Sequence, residues 1–415
     1  MRAAMLTPAL PRLAARLAVM VSGEALQGVF NLGLNLALLQ VASTYDYGVF
    51  ALVMIIGGLG LTYVRSLTAL PASILISQSR NTPAAQAIEA SFGAAAMILA
   101  LAAAALTAAL LSRWLEQGAL AGGLFVWLWS IRSHLRTVFF ARGRQGLASL
   151  GDVAFTASGM AGAALVLAMA ARGDVLAMLF WALALANGLA ILVMLGLARD
   201  KVRLAPPRHL LRRYRKLWRD LRWSLLSVSI TNAQGQGMAF LVAAWAGPAG
   251  FAPIAAALLL FAPLRILSAG FANMAHPELA RLMARHDEPE IDRVLRLWPL
   301  LLAVLGFGYL AALLIALRLL PASVSLPAAD GVMLLAWIAS LMPMLYATPR
   351  IWLEIRQDYR SIARLSLLAA VIGLGLVSVI LLLAPARWAL FGAAVSEIVV
   401  LAGSWALVRR GRRAR

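Results

Sequence analysis

The sequence predicts an all-α integral membrane protein, with twelve transmembrane helices in two pseudo-symmetric six-helix lobes around a central cavity. Composition, segment length and the placement of charge all point there. Of 415 residues, 62% are hydrophobic and 13% charged, about half the charged share of a soluble domain, so lipid is the solvent. The apolar residues gather into twelve segments, each near or above the ~20 residues that cross a bilayer. Thirty of the 37 Lys and Arg residues lie in connections on one alternating side of those segments and four on the other. The richer side is the cytoplasm by the positive-inside rule, and even parity puts both termini there.

The twelve segments run over residues 16–42, 48–70, 87–111, 119–140, 147–171, 174–198, 222–246, 250–275, 294–320, 329–349, 360–384 and 387–408. The first follows Arg2, Arg12 and Arg16, as a signal peptide would, with Val41-Ala42-Ser43 as its cleavage sequence. It exceeds twenty residues and carries Glu24, Gln27, Asn31 and Asn35, so it reads as a retained first helix. The cytoplasmic side then collects Arg80, Arg136, Arg142, Arg144 and, further on, Arg281, Arg285, Arg293, Arg296, Arg350, Arg356, Arg360, Arg364 and the basic tail after residue 408. The outer side holds only Arg113, Arg172, Arg318 and Arg387, in connections too short for a domain: STYDYG at 43–48, GPAG at 247–250, PASVSLPAAD at 321–330.

These boundaries give an N-terminal lobe at 1–198, a basic cytoplasmic linker at 199–221 and a C-terminal lobe at 222–415 with a basic tail. The linker carries Leu210, Leu211, Tyr214, Leu217, Trp218 and Leu221 at spacings of three and four with arginines between. It reads equally as an amphipathic helix on the anionic leaflet and as a plain connection between halves.

The halves echo each other. Helix one carries Gln27, Asn31 and Asn35; helix seven carries Thr231, Asn232, Gln234 and Gln236. Each leads through a short outer turn into a helix that begins with glycine, GVFALVM at 48–54 and GFAPIAA at 250–256. Each of those helices has an arginine fifteen to seventeen residues on, Arg265 and Arg65, roughly 22–25 Å inward at 1.5 Å per residue. A repeated six-helix plan belongs to transporters, with the substrate path between the repeats.

Charge inside a bilayer costs at least a few kcal/mol per group, so Arg65, Arg132 and Arg265 should face a cavity, an acid or the interface. A guanidinium offers a planar fork of donors matched to phosphate oxygens, and Arg65 with Arg265 would suit a diphosphate. Snorkelling to the cytoplasmic surface is the other use of such residues. Arg132 and Arg136 share a face of helix four, with His134 to the side, and either extend the basic path or anchor the span. Glu24, Asp152 and Glu397 are the acids within or near spans; each is a candidate H+ or Na+ site or the structural partner of an arginine. Gln27, Asn31, Asn35, Asn232, Gln234 and Gln236 either line a wet cavity for sugar hydroxyls or hydrogen-bond between helices. Gly57, Gly58, Gly60, Pro253 and Pro263 mark places to bend or pack closely.

Other chemistries lack their residues. There is no cysteine, hence no disulfide or thiolate metal site. The four histidines, His134, His209, His276 and His286, are scattered, and the run His286-Asp287-Glu288-Pro289-Glu290 reads as a solvated loop. No phosphate-binding glycine loop, zinc signature or serine elbow stands in a suitable setting. The basic excess lies beside spans, so no nucleic-acid partner is expected. No enzyme, metal or cofactor is indicated.

With YGVFALVM in helix two and GFAPIAAALLLFAPLRILSAGFANMAHPELARL across helix eight, the chain resembles the polysaccharide biosynthesis (Wzx-type) flippases. These form a branch of the multidrug/oligosaccharidyl-lipid/polysaccharide exporter superfamily. The resemblance spans nearly the whole chain and implies a multi-pass carrier of the bacterial inner membrane. Its substrate would be an undecaprenyl-diphosphate-linked oligosaccharide, turned to the periplasmic leaflet beside a glycan polymerase and other assembly proteins. Related lipid II flippases use cavity arginines on helices one, two and eight; Arg65 and Arg265 match the last two, while helix one offers only Glu24. An ion-coupled drug or cation exporter of the same superfamily would instead need an acidic, aromatic cavity. A membrane glycan polymerase or ligase would need a substantial periplasmic loop, which this sequence lacks.

Overall fold

The structure is a computed structural model that describes residues 26–78, 82–115, 118–169, 175–199, 203–284, 286–319, 330–356 and 358–413. Arg2, Arg12, Arg16, Glu24, Arg80, Arg172, Arg285 and most of the 321–330 connection lie outside the described residues. Everything described is helix or short connection. Helix α1 is Leu26–Val41. Helix α2 starts at Thr44, takes one π-helical turn at Arg65–Ala69 and continues as Leu70–Gln78. Then come α3 (Thr82–Leu111), α4 (Ala119–Ala141), α5 (Gln145–Met169) and α6 (Val175–Ala198).

The long helical stretch Pro207–Leu260 breaks at Gly247, whose φ of 71° lies in the region open to glycine,. Residues 207–246 are therefore α7. Helix α8 starts at 248 and, after a turn at Phe261, continues as Ala262–Ala284. Helices α9 (Glu288–Leu319), α10 (Asp330–Ile355), α11 (Tyr359–Leu383) and α12 (Leu390–Arg413) complete the chain. Nine segments of the described residues are long and apolar enough to cross a membrane. The described part of α1 is shorter, α7 runs on into α8, and α4 and the rest of α8 carry Arg132, Arg136 and Arg265. Twelve helices among the described residues thus coincide with the twelve apolar segments, although α2, α3, α7, α8, α9, α10 and α12 each extend several residues past the apolar stretch because polar turns such as TPAAQAIE continue the helix.

The chain separates into two compact units, residues up to 42 with 49–228, and residues 43–48 with 229–415. Within the first, α5 packs on α6, α3 on α4 and α4 on α6. Within the second, the same pairs recur six helices later: α11 on α12, α9 on α10 and α10 on α12. The repeat read weakly from glycines and amides is therefore a repeat of packing.

Large apolar side chains stand on both sides of the helices: Leu101, Leu165, Leu185, Leu192, Leu300 and Leu383 point outward, while Phe50, Phe92, Phe180 and Phe251 are buried with alanine and small polar residues. In lipid no hydrophobic force draws helices together, so close approach at small residues supplies the contact. Gly373 on α11 and Gly392 on α12 show such an approach. A Cβ on Gly392 would lie 2.7 Å from the Gly373 carbonyl oxygen and 2.9 Å from the Val377 amide nitrogen.

The linker is tied down within the first unit. Arg203 and Arg142 both pair with the buried Glu89 of α3, Arg203 at 3.0 Å. The Ala205 amide donates to the Ala90 carbonyl at 2.9 Å. From 207 the linker is helical: Tyr214 and Leu217 pack on Ala72, Ile76, Ile88, Phe92 and Val138, while Leu211 and Trp218 stay exposed. In the second unit, α12 ends with Arg412 pairing Glu288 and Asp292 at the start of α9.

Gly392→Val should destabilise the second unit by about 1–3 kcal/mol, because backbone atoms rather than a yielding side chain oppose the new methyl groups. Thermal unfolding of the detergent-solubilised protein measures it, and a midpoint equal to that of the wild type would show that α11 and α12 do not meet at this glycine pair.

Candidate functional site

Three cations of the first unit gather around one cavity of about 200 Å³, lined by Gln27, Leu61, Thr62, Arg65, Trp129, Arg132, Ser133 and Arg136. No aspartate or glutamate is among those residues. The side chains come from α1, α2 and α4, the helices on which sequence reading placed Gln27, Arg65 and Arg132.

The floor of the cavity is a hydrogen-bonded node. Arg132, 3% exposed, donates from Nε to Asn187 Oδ1 at 2.7 Å, from Nη1 to Asp152 Oδ1 at 3.1 Å and from Nη2 to Gln27 Oε1 at 2.8 Å. Its guanidinium also sits 4.1 Å over the Phe155 ring. Asp152, 1% exposed, takes a second guanidinium through Arg136 Nε at 2.8 Å. One buried carboxylate thus holds two cations, and α1, α4, α5 and α6 are joined at one point. Removal of a single partner from such a group leaves charge in an apolar interior. Asn187 donates onward to the Leu183 carbonyl at 2.8 Å, which fixes its amide so that its oxygen faces Arg132.

Arg65 differs from Arg132. It is exposed on the cavity wall, and no carboxylate pairs with it among the described residues. It opens the π-helical turn, where the Leu70 amide reaches back to the Arg65 carbonyl. Such turns recur at functional positions in helices because they displace one side chain from the regular ladder. Two side chains hold this one. Tyr214 of α7 donates its hydroxyl to the Leu67 carbonyl at 2.8 Å, and burial keeps its phenol above the ordinary tyrosine range, so it remains a donor. On the α4 side, Thr68 lies 3.1 Å from His134 Nδ1. The Thr68 hydroxyl gives its proton to the Val64 carbonyl at 2.5 Å, so Nδ1 is assigned as the donor of the His134 contact.

The second unit builds its own node. Glu397 of α12 accepts from Gln234 of α7 at 2.7 Å and from the Tyr346 hydroxyl of α10 at 2.9 Å. Gln234 also reaches Ser396 at 3.4 Å, and Arg350 supplies a neighbouring positive charge. The first, fourth and sixth helices of each half therefore meet at a polar point, with a glutamine from the first helix in both. The first node holds an ion pair, whereas the second holds its carboxylate mainly with neutral donors.

Other expected residues stand elsewhere. The Asn35 amide donates to the Asn31 carbonyl at 2.7 Å within its own helix. Asn232 and Gln236 are half-buried on α7. Arg265 is exposed on α8 and has no carboxylate partner among the described residues. Glu24 lies outside the described residues. Sequence reading missed Asn187, Tyr346, Thr68 and Tyr214 as parts of these sites. Asn187 had a usable signal, as the only amide in the apolar run VLAMLFWALALANGLAILVMLGLA; a π turn has none.

No protein-family profile and no curated protein sequence matches the chain. Solved structures do match it. An inward-facing conformation of a multidrug resistance MATE family transporter of the MOP superfamily aligns at 13% identity and a TM-score of 0.60, over 92% of this chain and 94% of that one. A MATE structure in complex with MaD3S aligns at 13% identity and 0.61, covering 95% of each chain. The lipid II flippase MurJ, in an inward closed conformation, aligns at 10% identity and 0.64, over 94% of this chain and 87% of that one.

Asp152→Ala should cost about 3–5 kcal/mol by leaving the buried Arg132 and the half-buried Arg136 without their carboxylate,. The loss is read as a lower unfolding midpoint and a smaller folded yield, and an unaffected midpoint would mean that the node does not hold α4 and α5 together. On fold, the chain is a multi-pass membrane protein built like the MATE transporters and the MurJ flippase, which are carriers rather than enzymes.

Proposed function

We propose that the chain is a flippase that moves undecaprenyl-diphosphate-linked oligosaccharide repeat units across the bacterial inner membrane by alternating access, for surface or exopolysaccharide assembly. The observation that carries the reading is the charge of the cavity: Arg65, Arg132 and Arg136 line it and no carboxylate does. Asp152 behind the wall offsets part of that charge, so the surplus is an attraction for anions. A drug or cation exporter has the same fold available to it, yet a cation would enter this cavity against that charge.

The roles follow from what each group already does. Arg132 is committed on three sides and acts as the fixed positive floor. Arg65 has donors to spare and is the group assigned to grip the diphosphate; Arg265, exposed on the equivalent helix of the other half, remains a further candidate for it. Gln27, Thr62, Ser133 and the Trp129 ring suit sugar hydroxyls and a sugar face. Asn31, Asn35, Asn232 and Gln236 remain further candidates for glycan contact. Coupling to H+ or Na+ is assigned to Glu397, which is held by the neutral donors Gln234 and Tyr346 with Arg350 as the neighbouring cation; Asp152 is taken up by its two arginines. A glycan polymerase that consumes the flipped product is the partner this activity requires.

Deletion of the gene should leave an undecaprenyl-linked intermediate on the inner leaflet, and the wild-type gene should clear it. Arg65→Ala should lower clearance about tenfold or more at unchanged protein level, since a charge-assisted hydrogen bond is worth about 1.5–3 kcal/mol. Arg65→Lys should recover part of it, because an ammonium keeps the charge without the fork. Full clearance by Arg65→Ala would reject the anion site. Glu397→Gln should leave the protein folded and its transport insensitive to the ion gradient; gradient-driven transport by that variant would remove Glu397 from coupling.

A further inference from the structure

We infer that Tyr214, on the cytoplasmic linker helix, is a positioning residue for Arg65, so that the connection between the halves sets the affinity of the anion cavity. The inference rests on the anion-site reading above. Its own basis is the π turn. A regular helix would carry the side chain of residue 65 in a direction set by its ladder; the widened turn at Arg65–Ala69 redirects it, and such a turn persists only where its surroundings hold it. The Leu67 carbonyl in the middle of that turn accepts from Tyr214 at 2.8 Å. Thr68, the next residue, is held against His134 of α4 at 3.1 Å. Arg65 is thus aimed by two contacts that it does not itself make.

Tyr214 in turn has little freedom. Its ring meets Phe92 edge-on at 5.6 Å, and Arg213 beside it donates to Ser91 at 3.1 Å. Upstream, Arg203 and the Ala205 amide fasten the linker to α3 at Glu89 and Ala90. The run from Glu89 to Tyr214 to Leu67 to Arg65 is a continuous path of hydrogen bonds, ion pairs and helix within one unit. A change in how the linker docks reaches the cavity by rotating one turn of α2.

The test is a double-mutant cycle on the purified full chain, with farnesyl diphosphate as the probe and binding read by calorimetry. Tyr214→Phe keeps the ring on Phe92 and deletes only the hydroxyl. It should weaken binding about threefold to tenfold, the range for one lost hydrogen bond, while the same change in an Arg65→Ala background should add no further loss. Thr68→Val, acting on the same turn from the α4 side, should show the same dependence on Arg65. Thermal midpoints are recorded for each variant, since a merely structural role would lower the midpoint without making the affinity loss depend on Arg65. Equal losses in both backgrounds, or none from Tyr214→Phe, overturn the positioning role and leave the anion site standing. No loss from Arg65→Ala itself overturns the anion site and, with it, this inference.

Discussion

A guanidinium drawn out of water must find acceptors for its donors, and in a membrane it must find them on neighbouring helices. Arg132 meets that requirement through Asn187, Asp152 and Gln27. The consequence is architectural. Because the three acceptors sit on α6, α5 and α1, satisfying one side chain of α4 sets the arrangement of four helices, in a solvent where apolar contact contributes no preference between partners. It is also electrostatic, since Asp152 is shared with Arg136 and the node keeps a positive surplus beside the cavity. The exposed Arg65 adds to that surplus at the wall.

The second half joins three of the corresponding helices by other chemistry. Gln234, Tyr346 and Glu397 join its first, fourth and sixth helices with one carboxylate and mainly neutral donors. The corresponding joints of the two halves thus differ in charge: one holds two guanidiniums on a carboxylate, the other a carboxylate held mainly by neutral donors. This asymmetry is what makes an ion-driven carrier of an anionic lipid a coherent reading of the two nodes, and it is finer than the fold shared with MATE transporters and MurJ, which accommodates carriers of different substrates.

Much of the fold was legible because lipid imposes simple rules. Apolar runs of span length and the one-sided placement of arginine gave the helix positions, and the paired glycines at 48 and 250 gave the repeat. The site was legible in part. Gln27, Arg65 and Arg132 stood out as polar groups in apolar helices, and all three line the cavity. Their division of roles did not stand out, because a buried arginine held by three partners and one that is exposed look alike in sequence. The commitment of Arg132 depends on Asn187, fifty-five residues away, and Asp152, twenty away. The placement of Arg65 depends on a π turn and a tyrosine 147 residues from the carbonyl it reaches. Amphipathic spacing in the linker left a helix and a plain connection equally open, and did not show that Tyr214 and Leu217 face protein while Leu211 and Trp218 remain outside.

The positive cavity is the centre of this account, and reconstitution tests it most directly. Purified protein in liposomes, under a proton or sodium gradient, is given in turn a fluorescent polyprenyl-diphosphate-linked saccharide and the cationic dye ethidium. Movement of the lipid-linked saccharide between leaflets, with ethidium left in place, is the predicted result. Transport of ethidium with the saccharide immobile would contradict it.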